Sequence, residues 1–247
     1  MFQKLRKSKK LLLVAMACAT FAIAGCGSDT TKNTADNGNA VTWSETFDGT
    51  KTDFAVKSAP THAVSMSQAT TEMMLQLGLE DKMAGTAFKE EEIYPPLQAA
   101  YDKVKVLSDK WPSYEVFMSV KPDFATGWPD SFSKRAIPAD KMIAQKVNIW
   151  LPESMLSTKA DLETNFNDMI KLGEIFGVKP KAEEWVAGQR KTLEAIQAKL
   201  KDLPRKRVFI YDSEDGQPFT AFEGYTTNIL KLIGADNVMS GLGVDKT

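Results

Sequence analysis

Apolar positions follow two rhythms along this chain. From Val41 to Leu151 they come in short contiguous runs, Ala63–Met66, Met83–Ala87, Val104–Leu107, Phe124–Thr126 and Val147–Leu151. Each of the first four runs leads into a polar or Gly/Pro loop and usually a helical stretch: Thr70–Leu79, with Met73, Met74 and Leu77 on one side, Tyr114–Val120 or Ala139–Lys146. Strands alternating with helices predict an α/β fold whose parallel sheet is covered on its faces. Ahead of it, Asp48-Gly49 between Trp43–Phe47 and Phe54–Val56 predicts a hairpin closed by a tight turn. From Thr158 the rhythm becomes helical. Thr158–Phe176 carries Leu162, Phe166, Met169, Ile170 and Phe176 near one face, with Thr158 and Asp161 as a start signal and Gly177 and Pro180 as the stop. Lys181–Leu203 repeats the pattern through Trp185, Val186, Leu193, Ile196 and Leu200. The strand pattern then resumes at Arg207–Tyr211, followed by a helix over Tyr225–Ile233.

The expected organisation is two α/β lobes on a helical spine, with residues 41–157 in the first lobe, 158–203 in the spine and 204–247 in part of a second lobe. Two ordinary surface helices of one domain are the alternative. The first helix, Thr158–Phe176, is the expected bridge. In open parallel sheets, ligands bind beyond the carboxyl ends of the strands. The candidate binding loops are therefore Ser65–Thr71, Phe88–Pro95, Ser108–Ser113, Gly127–Arg135 and Pro152–Thr158.

Composition narrows the chemistry. An apolar fraction of 43% and a charged fraction of 26% suit a folded protein. The formal net charge is -1, but Lys4, Arg6, Lys7, Lys9 and Lys10 all lie in the first ten residues, and loss of residues 1–25 would take it to -6. That balance argues against sequence-independent binding of nucleic acid. Cys18 and Cys26 sit at the extreme N-terminus and His62 is the only histidine, so neither a disulfide staple nor a Cys/His metal spacing is available. His62 has no partner in sequence, and no metal site or resident cofactor is expected.

Residues 1–25 have a basic start, the apolar run Leu11–Ala24 and a small-residue boundary, the form of a secretory signal too short to span a membrane. Ile23-Ala24-Gly25-Cys26 resembles a bacterial lipobox, which would make Cys26 the lipidated first residue of the mature protein; an ordinary cleaved signal is the alternative. Gly27–Ala40 reads as a tether with a reach of about 20 Å. A lipid-anchored protein facing the periplasm or cell exterior is expected.

Four stretches carry a family resemblance. They are His62–Glu72 running to Leu79, Ser113–Asp123 with its Lys121-Pro122-Asp123, Lys206–Tyr211 with Pro218-Phe219-Thr220, and Leu232–Val238. In this order, behind a lipobox, they resemble the cobalamin- and iron-siderophore-binding class of ABC-transporter substrate-binding proteins. The resemblance implies two Rossmann-like lobes joined by a long helix, with ligand in the cleft between them. A monomeric, non-enzymatic receptor follows, partnered by an ABC permease and its ATPase. It also implies docking onto the permease through one glutamate per lobe. Glu115 stands at the first-lobe position, where a helix first turn would favour an acid in any case. The second glutamate would lie beyond Val238, so the chain reads as a fragment or truncated product with an incomplete second lobe. Uncovered apolar surface is expected there.

For the ligand, aromatic rings at strand ends are the best candidates, since corrinoids and siderophores present broad surfaces. Trp128 lies where the resemblance to vitamin B12 receptors places a lining tryptophan. Phe88 and Trp111 fall near other strand ends and Phe219 on the facing loop, with packing as the alternative for each; Trp150 reads as core. Arg135 would pair with a ligand carboxylate or phosphate, or be solvated surface charge. Ser65, Ser67 and Gln68 precede a helix whose N-terminus favours an anionic group, although Ser67 would equally cap that helix. A ferric siderophore or related metal chelate is the leading ligand. Cobalamin or haem is the alternative within the class, and a chelatase-like enzyme the alternative outside it. The enzyme reading would need Glu90, Glu91 and Glu92, which read more simply as a solvated loop. A lipoprotein that binds only a partner protein is a third possibility.

Overall fold

The computed structural model describes residues 40–242; the signal, Cys26 and the tether ahead of Ala40 lie outside the described residues. The chain opens with the hairpin, β1 (Val41–Phe47) and β2 (Thr50–Val56), paired antiparallel from Val41↔Val56 to Phe47↔Thr50. Asp48 and Gly49 take φ of 48° and 78°, the left-handed pair that a two-residue hairpin turn requires. The first lobe is a five-stranded parallel sheet. Its strands are β3 (Ala63–Met66), β4 (Met83–Ala87), β5 (Val106–Ser108), β6 (Phe124–Gly127) and β7 (Asn148–Trp150), in the order β5-β4-β3-β6-β7. Chain order reverses between β3 and β6, the switch point at which a binding crevice opens.

Alternate residues of each strand enter different cores, so both faces must be apolar. Ala63, Phe124 and Trp150 join Met74 of α1 (Gln68–Gln76) and its C-cap Leu77 on one side. Val64, Ala125 and Ile149 join Phe117 of α3 (Tyr114–Ser119) and Met142 of α4 (Ala139–Ala144) on the other. The remaining intervening helix is α2 (Gln98–Tyr101).

The Lys-Pro-Asp stretch has a structural role at the opposite end of the sheet. Asp123 accepts from Thr61 N (2.8 Å) and Thr61 Oγ1 (3.1 Å) through one carboxylate oxygen, and from His62 N (3.0 Å) through the other. It thereby ties the start of β3 to the start of β6. His62 is exposed and its Nδ1 lies 3.0 Å from Thr61 Oγ1. Removing the clamp in Asp123→Ala is expected to lower unfolding stability by about 2 kcal/mol, and Asp123→Asn, which keeps one acceptor, by about half as much. Urea melts test this, and an Ala variant as stable as the parent would show that the clamp adds nothing.

Two long helices follow, α5 (Leu162–Ile175) and α6 (Lys179–Leu200). Helix α5 begins later than Thr158. Asp161 caps it, accepting from Thr164 N at 2.9 Å while its own N–H donates to Thr164 Oγ1 at 3.2 Å. The bridging role also moves. Phe166, Met169, Leu172 and Ile175 of α5 are buried in the first-lobe core, so α5 belongs to that lobe. It is α6 that makes the crossing. Its first half buries Ala182 and Val186, while at its far end Gln197 Nε2 donates to Leu232 O at 3.4 Å.

Beyond it the second lobe comprises β8 (Lys206–Val208), β9 (Ser213–Glu214), β10 (Pro218–Phe219), α7 (Tyr225–Leu232) and β11 (Ala235–Asn237). Strands β8 and β11 pair parallel, β9 and β10 antiparallel. The strand expected over Arg207–Tyr211 ends at Val208, and Phe209 (50%) and Tyr211 (57%) are exposed, in line with the uncovered apolar surface expected on this lobe. Helix α7 docks on the first lobe through Asn228 Nδ2, which donates to Ala160 O at 3.1 Å. No described helix is long and apolar enough to cross a membrane.

Candidate functional site

The carboxyl ends of four sheet strands are knitted together by a few polar atoms. The carbonyl of Met66, the last residue of β3, accepts from Trp111 Nε1 (3.1 Å) and from Ser131 Oγ (3.3 Å). One backbone oxygen thus joins the loops after β3, β5 and β6. Phe88, directly after β4, lies flat against Trp111 with ring centroids 4.7 Å apart and planes 15° apart. Its φ of 59° is left-handed, a conformation that costs a non-glycine residue about 1 kcal/mol and persists only where the surroundings hold it. Trp128, directly after β6, is half-buried and donates from Nε1 to Glu90 Oε2 at 3.3 Å, closing the circuit back to the loop after β4.

Gln68 is in this network but its amide is already engaged. Its Oε1 accepts from Glu90 N (3.0 Å) and Glu91 N (2.7 Å), and its Nε2 donates to Glu72 Oε1 (2.8 Å) and Glu92 O (3.1 Å). Ser65 and Ser67 are fully buried and point inward. Ser65 Oγ donates to Ser67 O (3.0 Å) and receives Thr71 Oγ1 (2.8 Å), Thr71 shares a 2.6 Å bond with Thr86 of β4, and Ser67 Oγ caps α1 by accepting Thr70 N (3.2 Å). These hydroxyls build the scaffold beneath the loops, and the capping alternative describes Ser67. Arg135 is exposed but forms an ion pair with Asp130 of its own loop, so its guanidinium is already matched to a carboxylate.

Phe219 lies on β10 at 48% exposure and, among the described residues, makes no ring contact with the first-lobe aromatics. Glu115 is exposed in the first turn of α3 next to exposed Val116; its own backbone N–H, followed by the Ser113 hydroxyl, holds its carboxyl below the ordinary range and keeps it charged. A shallow hollow on the hairpin, lined by Thr42, Trp43, Ser44, Asp53, Phe54 and Ala55, contains none of the candidate ligand residues.

Sequence reasoning missed Ser131 and the Met66 carbonyl, neither of which carries a sequence signal. It also missed two buried carboxyls behind the loop after β7. Asp168 accepts from Glu153 N and Ser154 N, each at 2.9 Å, and burial raises its pKa. Glu45 of β1 accepts from Leu151 N at 3.0 Å, and burial, with Glu153 and Asp168 nearby, pushes its pKa up to about 7. Both position backbone rather than face a ligand.

Comparison with known proteins agrees with this fold. The model of the family described as periplasmic binding protein matches residues 64–245. The chain is 26% identical over 240 residues to the uncharacterized ABC transporter substrate-binding lipoprotein YvrC of Bacillus subtilis, covering 94% of this chain and 73% of that one. It is 25% identical over 190 residues to the vitamin B12-binding protein of Vibrio vulnificus, covering 76% and 65%. The crystal structure of a periplasmic binding protein from Veillonella parvula superposes with a TM-score of 0.83 at 96% identity, over 85% of this chain and 71% of that one. The chain therefore belongs to the periplasmic binding protein family, as an extracytoplasmic substrate-binding protein of the ABC-transporter type.

Proposed function

We propose that this protein captures a ferric siderophore or related metal chelate between its two lobes and delivers it to an ABC permease and its ATPase. The observation that carries this reading is the aromatic wall at the sheet's carboxyl ends, where Trp111 and Trp128 are held by cross-loop hydrogen bonds and Phe88 stacks on Trp111. Rigid rings preset on a scaffold cover a broad chelate with little loss of side-chain freedom on binding. Phe219 supplies the opposing aromatic surface from the second lobe. Glu115, charged and exposed, is the first-lobe contact to the permease. Cys26 carries the lipid, residues 1–25 are removed, and the tether holds a monomer beside the membrane. Iron is bound by its chelator and no catalytic step is involved. Cobalamin is the second reading, favoured by the likeness to the Vibrio vulnificus vitamin B12-binding protein.

Titration of tryptophan fluorescence with ferrioxamine, ferrichrome, haem and cyanocobalamin tests both. Saturable quenching by one of them is expected, and Trp128→Ala should weaken that binding about tenfold, as loss of one aromatic anchor does. Binding of none of the four would sink the receptor reading. Unchanged affinity in the Trp128 variant would remove that ring from the site.

A further inference from the structure

The loops that hold the aromatic wall also set the charge a ligand meets. Glu90 keeps a carboxylate oxygen 3.3 Å from the indole nitrogen of Trp128. That placement is enforced from the backbone, because Gln68 Oε1 accepts from the N–H groups of Glu90 and Glu91. Gln68 Nε2 donates to Glu92 O and to Glu72 Oε1, and Glu72 Oε1 also accepts from Tyr94 N at 3.2 Å. Gln68 is thus a positioning residue for an acidic loop and does not reach for an anion. The nearby cation that would favour an anionic ligand, Arg135, is paired with Asp130. Lys89, Lys110 and Lys134 remain on the first-lobe loops, outnumbered by their acids. On the second-lobe side, the segment leading to α7 carries exposed Asp212, Glu214 and Asp215, with no Lys or Arg between residues 208 and 230.

We infer that the binding cleft selects a metal chelate of net positive charge and discriminates against anionic chelates, with Glu90 beside Trp128 as the specificity-determining pair. The inference rests on the receptor reading above and narrows it. A carboxylate and an indole side by side both attract a cation, the first by charge and the second by its ring quadrupole. Within a cleft between lobes the attraction is screened less than at an open surface. A ferric hydroxamate bearing a free ammonium group fits this chemistry. Ferric catecholates, ferric citrate and the propionates of haem would meet like charge.

The test is calorimetric titration of the full chain with three ferric chelates of comparable bulk: cationic ferrioxamine B, neutral ferrichrome and anionic ferric enterobactin. Ferrioxamine B is expected to bind about tenfold tighter than ferrichrome, with the anionic complex weakest, and raising the salt should shrink the first gap. Glu90→Gln should weaken ferrioxamine B about tenfold while moving ferrichrome less than about threefold. Tightest binding of the anionic complex, or equal binding of all three, overturns the charge selection and leaves the receptor reading standing. Binding of none overturns both.

Discussion

Replacing Glu45 by glutamine is expected to stabilise the protein by about 3 kcal/mol at pH 8 and to change little at pH 5. Glu45 is 7% exposed on β1, with its carboxyl against the outer edge of β7, where Leu151 N donates to it at 3.0 Å. Two residues earlier on the same strand, Trp43 Nε1 donates to Ile149 O at 2.7 Å, so two hairpin side chains satisfy an edge that would otherwise be open to pairing with another chain. Burial raises the Glu45 pKa from 4.5 to about 7, reinforced by Glu153 and Asp168 and only partly opposed by the Leu151 N–H. The sign follows from proton uptake. Between these two values the folded state holds a proton that the unfolded state has released, so stability falls as pH rises through that window and stays reduced above it. Burial raises Asp168 as well, which adds in the same direction. The depressed carboxyls, Asp161 and Glu174 among them, act at lower pH with opposite sign. Glutamine keeps the acceptor for Leu151 N and has no charge to bury. Urea melts of both proteins from pH 5 to pH 8 decide the matter. Parallel pH profiles would show that Glu45 ionises freely in the fold.

Much of the first lobe was legible because its strands are contiguous apolar runs between polar loops. Ala63–Met66 and Met83–Ala87 were read with their observed limits for that reason, and Asp48-Gly49 located the hairpin turn. The errors arise where one local signal competes with another. Thr158 looked like a cap, yet Asp161 three residues later has the reciprocal partner Thr164. The strand read over Arg207–Tyr211 stops at Val208, while the exposure of Phe209 and Tyr211 matches the uncovered apolar surface expected on that lobe. The crossing fell to α6 because burial decides it, and the amphipathic stripes of α5 and α6 look alike in sequence. At the site, aromatic residues at strand ends were recognisable from topology. The fate of Gln68 was not, because its partners come from the loop after β4, whereas Ser67 caps α1 as its alternative reading had it and Ser65 bonds its near neighbours Ser67 and Thr71. Arg135 was misleading for a simpler reason, since its neutralising partner Asp130 lies five residues earlier in the same loop.

Gly173 limits how closely the two long helices can lie, and Gly173→Val is expected to cost about 3 kcal/mol of stability. A Cβ at this position would stand 2.7 Å from Ala182 Cβ and 3.2 Å from Lys179 Cα, one a short rigid side chain and the other backbone. Neither can swing aside, so relief requires α6 to move away from α5, at the point where Ala182 and Val186 are buried in the same core as Phe166 and Leu172. Helix propensity pulls the other way. Alanine in place of a helical glycine gains about 1 kcal/mol, whereas overpacking a close contact loses about 1–3 kcal/mol, so Gly173→Ala should be mildly destabilising and the bulkier, β-branched valine clearly worse. The two effects separate in a double-mutant cycle. Ala182→Gly removes the opposing methyl, and in that background Gly173→Ala should become favourable, with a coupling of about 1–2 kcal/mol. Because α6 carries the second lobe, the overpacked variant should also bind ligand more weakly even where it remains folded. Additive single effects in urea melts would place the close approach elsewhere; a strong coupling with intact secondary structure would locate it at the root of the crossing helix.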